Sequence, residues 1–128
     1  MVDVQSLLTV KDLIKDKAVF VKSDSTVFAL AEKMKKNHAD SVLVKDASGS
    51  IEGIVTESDI IYKVVAKKES PSKTKVEKIM TKKLLTIDGN ESMFKARQIM
   101  LDNNLRHLIV TNGEKQIGVV TSKEILGK

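Results

Sequence analysis

The sequence predicts an α/β fold of the α+β kind, made of two pseudo-symmetric copies of one β-α-β-β-α unit. The stretch 53–59, Gly-Ile-Val-Thr-Glu-Ser-Asp, recurs as 118–124, Gly-Val-Val-Thr-Ser-Lys-Glu, at a separation of 65 residues. Upstream of it, identical residues recur at a separation of 66, including Val10/Val76, Phe28/Phe94, Met34/Met100, Asn37/Asn103 and Val44/Val110. A period that covers nearly the whole chain is typical of a duplicated fold. One residue is therefore missing from a turn of the second copy.

The order of elements follows from local patterns in each copy. Val10–Lys15 and Val76–Thr81 predict short helical segments, and residues 19–21 and 84–87 predict short strands. Ser/Asp clusters, which are turn and helix-capping chemistry, follow each strand. A helix is predicted next, because Val27, Leu30, Ala31 and Met34 recur at helical spacing in the first copy.

Each copy then continues as a β-hairpin and a second helix. The hairpin strands are predicted at 41–45 with 51–55, and at 107–111 with 117–120. Apolar residues at 60, 61, 64 and 65 return to helical spacing. We predict a first repeat at 1–68, a linker at 69–75 around the chain's single proline, Pro71, and a second repeat at 76–128.

Composition limits the class of protein. With 128 residues, 41% hydrophobic and 30% charged, the chain is typical of a soluble globular domain. No apolar run approaches the ~18 residues that a membrane span needs, and residues 1–8 do not resemble a secretion signal. The absence of cysteine excludes disulfides and thiol nucleophiles. These features predict a cytoplasmic protein that does not contact a membrane.

Catalysis has little support in the residues. The chain has two histidines, no cysteine, and neither a Gly-x-Ser-x-Gly elbow nor a phosphate-binding P-loop. Paired metal ligands are missing too. We therefore predict a protein that is not an enzyme and that needs no cofactor or metal.

The positive charge is concentrated in one segment. Eight lysines and two glutamates fall within 63–83, a local balance of +6 in a chain whose total is +5. Such a run is usually a solvated face, but it leaves nucleic-acid or polyanion binding open. Aromatic residues are only 3%, with one tyrosine and no tryptophan, so base stacking is scarce.

The stretch 53–59 reads as a strand that runs directly into a helix. A helix that begins at the rim of a sheet points its first N–H groups toward ligands there. Thr56-x-x-Asp59 is also a capping box, and Thr121-x-x-Glu124 is a better one, so capping and ligand binding both remain open.

The two copies, the order of elements and the Gly-h-h-Thr-x-x-Asp motif at 53–59, where h is apolar, together resemble a tandem CBS-domain pair, also called a Bateman module. The resemblance covers roughly residues 8 to 127. It implies two repeats packed through their sheets, with an adenine nucleotide (AMP, ADP or ATP) or S-adenosylmethionine bound in a cleft between them. It also implies a regulatory role, an unidentified regulated protein and a homodimer. A dimerisation module without ligand remains a further alternative.

The resemblance assigns roles to particular residues. Asp59 matches the acid that hydrogen-bonds the ribose hydroxyls, and Thr56 matches the hydroxyl at the same helix start. The strand residues Val19, Phe20 and Val21, with Thr86 in the second copy, match the edge that cradles adenine. Arg106, His107 and Lys123 match positions of phosphate-binding groups. A weaker second cleft would be led by Thr121 and Glu124.

Three departures favour one good site over two. Glu124 is one methylene longer than the expected acid, and Phe20 replaces a small or hydroxylated residue. Asp40 stands where a basic residue would be expected for phosphate binding in the weaker cleft.

Overall fold

The computed structural model describes residues 8–14, 18–113 and 115–126. They divide into two compact units, one formed by residues 19–84 and the other by residues up to 18 together with those from 85 onward. Each unit contains a three-stranded sheet and helices, so the predicted mixed α+β class and the β-α-β-β-α order are confirmed.

The 19–84 unit begins with β1 (Phe20–Lys22) and α1 (Val27–Asn37). The hairpin β2 (Ser41–Lys45) and β3 (Ile51–Thr56) follows, and then α2 (Glu57–Ile60), a π-helical turn (Ile61–Val65) and α3 (Val76–Ile79). The sheet order is β1-β2-β3, with β1 parallel to β2 and β2 antiparallel to β3. Thr26 accepts a hydrogen bond from the backbone of Ala29 and caps α1.

The other unit repeats this plan. A 3-10 turn (Val10–Leu13) precedes β4 (Thr86–Asp88), α4 (Met93–Asn103), β5 (His107–Asn112), β6 (Lys115–Thr121) and α5 (Ser122–Leu126). The sheet order is β4-β5-β6, again with one parallel and one antiparallel pair. Ser92 caps α4 as Thr26 caps α1. The predicted helix at 10–15 is a shorter 3-10 turn among the described residues, and Lys15 lies outside them.

Each compact unit also contains a short helical segment that precedes the strands of the other repeat. α3, which precedes β4, lies in the 19–84 unit, and the 3-10 turn Val10–Leu13, which precedes β1, lies in the other unit. Ile54 of β3 exchanges two backbone hydrogen bonds with Thr81, at 3.0 and 2.9 Å. In the other unit the backbone N–H of Val10 donates to the carbonyl of Glu91 at 2.9 Å. The predicted bounds 1–68, 69–75 and 76–128 describe sequence copies and stay a prediction, whereas the compact units divide the chain at 84 and 85.

Each unit has its own apolar core. Val42, Val44 and Val55 of the 19–84 sheet pack with Leu30 of α1 and with Ile79 of α3. The equivalent core of the other unit holds Leu108, Val110, Val120, Met100 and Val10. Most of the apolar residues that the sequence predicts to face inward on the strands and on α1 are therefore buried in the two cores. None of the described helices has the length and apolarity that crossing a membrane requires.

Candidate functional site

The strand-to-helix corner of the 19–84 unit is built from β3 and α2. Glycine is required at position 53, because a Cβ there would lie 2.8 Å from Met80 Sδ and 3.0 Å from the Thr81 carbonyl oxygen. This close approach holds the corner against the segment that follows α3. Thr56 then ends the strand with extended backbone and begins the helix.

Asp59 is buried at this corner, with 9% of its surface exposed. Its Oδ2 accepts the backbone N–H of Thr56 at 2.9 Å and is 3.4 Å from the Thr56 hydroxyl. Its Oδ1 lies 2.8 Å from Nζ of Lys63. These are the contacts of a capping box with an added ion pair, so the capping interpretation is confirmed.

Lys63 joins the corner to α3. Its Nζ also donates to the carbonyl oxygen of Ile79 at 2.8 Å, which satisfies a carbonyl at the C-terminal end of that helix. Lys63 lies within the π-helical turn, in which the N–H of Ala66 donates to the carbonyl of Ile61, five residues back, at 2.8 Å. The ammonium therefore binds two groups that are themselves nearly buried.

Part of the backbone N–H set at the start of α2 is already bonded. Besides that of Thr56, the N–H of Glu57 donates to the carbonyl of Asp40 at 3.2 Å. The same bond links Ser122 to the carbonyl of Arg106 in the other unit, at 2.8 Å. That the helix starts attract ligands stays a prediction, in which the N–H groups of Glu57 and Ser122 have no part because backbone carbonyls accept them.

The β1 edge brings the predicted adenine residues onto the same sheet as the corner. Val19 accepts a backbone hydrogen bond from Leu43, Phe20 is half-buried and Val21 is buried in the core. Nζ of Lys45 lies 4.0 Å from the centroid of the Phe20 ring, a cation–π contact. The departure at Phe20 thus places an aromatic ring beside a lysine.

The corner of the other unit has the same backbone but different side-chain contacts. The Thr121 hydroxyl donates to Oε2 of Glu124. Both residues are half-buried, and Lys123 is exposed. The three atoms nearest to a Cβ at Gly118 would all belong to the side chain of Ile14, the first at 2.8 Å.

The predicted phosphate residues lie next to this second corner. His107 pairs with Thr121 across β5 and β6, and Arg106 is the exposed residue immediately before β5. Thr86 is exposed on β4, paired with Ile109. The structure therefore gathers Val19, Phe20, Val21, Thr56 and Asp59 in one unit, and Thr86, Arg106, His107, Thr121, Lys123 and Glu124 in the other. Their ligand roles stay predictions.

Two further acids, Asp12 and Asp46, accept hydrogen bonds from residues of their own turns. The hydrogen bond from the Thr9 backbone amide lowers the pKa of Asp12, and the hydrogen bond from the Ser48 hydroxyl lowers the pKa of Asp46. Thr9-x-x-Asp12 is a third Thr-x-x-acid sequence in which the acid bonds back to the threonine. At this exposed turn the pattern caps a helix, as it does at 56–59. Among the described residues, no cluster of three His or acidic residues could hold a metal.

Sequence reasoning did not single out Lys63 or Lys45 as site residues. The spacing of Asp59 and Lys63, four residues apart on a helix, is a signal that could have found the first pair. The second has no such signal, because the contact of Lys45 with Phe20 depends on strand pairing.

The chain matches a known protein family. The model of the CBS domain matches twice, at residues 10–66 and 76–128. The chain therefore belongs to the CBS-domain family and carries two tandem CBS domains. This confirms the predicted recognition and fold.

Individual relatives contain a similar stretch within longer proteins. A CBS domain-containing protein of Arabidopsis thaliana is 36% identical over 107 residues, which cover 83% of this chain and 20% of that protein. The chain thus spans about a fifth of the length of the first curated relatives that it matches.

Solved structures share the fold over nearly the whole chain. A putative signal-transduction protein with CBS domains from Burkholderia ambifaria is 31% identical, with a TM-score of 0.80 and coverage of 92% of this chain and 90% of that one. A CBS domain protein from Pyrobaculum aerophilum, solved in complex with AMP, is 20% identical, with a TM-score of 0.79 and coverage of 91% and 89%.

Proposed function

We propose that this protein is a regulatory, non-catalytic module that binds an adenine nucleotide or S-adenosylmethionine through the corner led by Thr56 and Asp59. The observation that carries the proposal is the family motif at 53–59, folded as a strand-to-helix corner with the Asp59 carboxylate at its centre. The AMP complex of the Pyrobaculum relative supports adenosine as the ligand class.

The chemistry of the corner suits a sugar hydroxyl. A carboxylate offers about four acceptor positions, and the described contacts of Asp59 use two at Oδ2 and one at Oδ1. Hydrogen bonds from hydroxyls to an ionised acceptor are about twice as strong as neutral ones. The adenine edge would be β1, where Phe20 adds apolar surface.

Binding would act through differential affinity. A nucleotide that contacts one arrangement of the module better than another shifts the population toward it. The regulated protein would read that shift. In our proposal this partner is a separate polypeptide or a further part of a longer chain.

The test is thermal unfolding against AMP, ADP, ATP, S-adenosylmethionine and NAD. Ligand at about 100 times its Kd adds ~2.7 kcal/mol, which is a shift of several degrees. We expect Asp59→Asn to abolish the shift and Glu124→Gln to keep it, because only the first corner is proposed to bind. No shift with any adenine compound contradicts the proposal and favours a dimerisation module without ligand.

Self-association is the second part of the proposal. Exposed apolar side chains lie on the helices of each unit, with Phe28 and Phe94 at equivalent positions and 54% and 52% exposed. Ile61, Tyr62 and Val65 are also exposed, on the π-helical turn. A homodimer would cover such faces. A monomeric mass in sedimentation equilibrium contradicts it.

Polyanion binding is the competing hypothesis. Lysines at 67, 68, 73, 75, 78, 82 and 83 are exposed in the 19–84 unit, and this charge is its only support. Binding that weakens steeply with salt favours it. A nucleotide held by hydrogen bonds and apolar burial depends less on salt.

A further inference from the structure

The Lys63 ammonium occupies the carboxylate that the proposed function assigns to the ligand. Its Nζ lies 2.8 Å from Oδ1 of Asp59 and donates to the Ile79 carbonyl at the same distance. The Asp59 side chain is 11% exposed, whereas that of Lys63 is 39% exposed. The Asp59 carboxylate is thus more buried than the lysine side chain that contacts it.

We propose that Lys63 is an autoinhibitory latch, so that its ammonium and the hydroxyls of a ribose are alternative partners of Asp59. This inference rests on the proposed function. Two ribose hydroxyls need two acceptor positions, and three of about four are already used at Asp59. Of the donors present, Lys63 is the one that covers Oδ1.

Release of the latch needs only a side-chain movement. The Lys63 side chain is 39% exposed and lies within the π-helical turn Ile61–Val65. π-helical turns are rare and occur mostly as single turns inside α-helices, often at functional sites. Rotation about the flexible four-carbon stem of a lysine carries its ammonium from Asp59 into solvent.

Release also has a consequence beyond the acid. Lys63 donates to the carbonyl of Ile79, the last residue of α3, so its departure removes a partner from the C-terminal end of that helix. α3 packs in the core of the same unit through Val76 and Ile79. Ligand binding at Asp59 is thereby coupled to the packing of α3, which lies between the linker at 69–75 and β4.

The test compares AMP with 2′-deoxy-AMP in wild type and in Lys63→Met, by titration calorimetry. The two ligands carry the same charge, so their ratio isolates the ribose hydroxyl from any phosphate effect. We expect Lys63→Met to bind AMP about three- to tenfold tighter. The gain should be smaller for 2′-deoxy-AMP. Lys78→Met is the matched control, because it also removes a lysine of the 19–84 unit. The Lys78 side chain is 65% exposed, and its Nζ makes only a long contact, 3.9 Å, with Oε1 of Glu69.

The outcomes separate this inference from the proposed function. AMP binding by wild type that is unchanged or weaker in Lys63→Met overturns the latch and leaves the proposed function standing. An equal gain for both ligands also overturns it. If neither wild type nor variant binds any adenine compound, the proposed function fails as well.

Discussion

The two strand-to-helix corners, 53–59 and 118–124, share a backbone but use their acids differently. Asp59 is 9% exposed and bonds to its own threonine and to Lys63, which reaches on to Ile79. Glu124 is half-buried and bonds to the hydroxyl of Thr121. The comparison teaches that a duplicated motif keeps its capping contacts while the surrounding contacts diverge.

Exchanging the two acids tests this difference most strongly. We expect Asp59→Glu to lose roughly 1.5–3 kcal/mol of AMP affinity, because the longer arm misplaces a charge-assisted hydrogen bond. The free energy of unfolding should change little, since Thr-x-x-Glu is a good capping box. Titration calorimetry and urea unfolding measure the two quantities. Glu124→Asp is the matched control and should leave AMP affinity unchanged.

If Asp59→Glu binds AMP as wild type does, the ribose assignment is wrong. Loss of affinity in Glu124→Asp as well would mean that both corners bind ligand, which contradicts a difference in role between them.

The glycines give the next largest effect. We expect Gly53→Ala to cost about 1–3 kcal/mol of unfolding free energy, because the added methyl meets the Thr81 backbone oxygen, which cannot move alone. Gly118→Ala should cost less, because only the Ile14 side chain stands in the way. Urea denaturation of both variants measures the difference. Equal costs would show that both corners are packed with the same tolerance.

The ends of the two long helices give the smallest effect. His38 after α1 and Asn104 after α4 are left-handed, with φ of 51° and 52°. Glycine adopts this conformation without a Cβ penalty. We expect His38→Gly to stabilise by about 0.5–1 kcal/mol, and Asn104→Gly by less, because asparagine tolerates this region better than most residues. Thermal unfolding measures both, and a larger gain at Asn104 would contradict the reasoning.

Much of the fold was predictable because it depends on periodicity. The recurrence of Gly-h-h-Thr and the helical spacing of Leu30 and Met34 are local, so they predict the corners and α1 directly. The family resemblance also follows from these residues. The compact units were harder to predict, because the pairing of Ile54 with Thr81 joins residues far apart in sequence.

The site was predictable only in part. Thr56 and Asp59 follow from the motif, and their capping contacts follow from the spacing. The link from Lys63 to Ile79 joins residues 16 apart in sequence, so no local pattern predicts it. The contact of Lys45 with Phe20 depends on strand register.

The pairing of Ile54 with Thr81 bears on how such a chain can be divided. A fragment ending at residue 68 would lack Thr81, the backbone partner of Ile54 on β3, and would leave Gly53 without the methionine that lies against it. An uncovered strand edge invites pairing with another copy. A half that keeps this pairing and this contact therefore extends at least to Thr81, within the 19–84 unit.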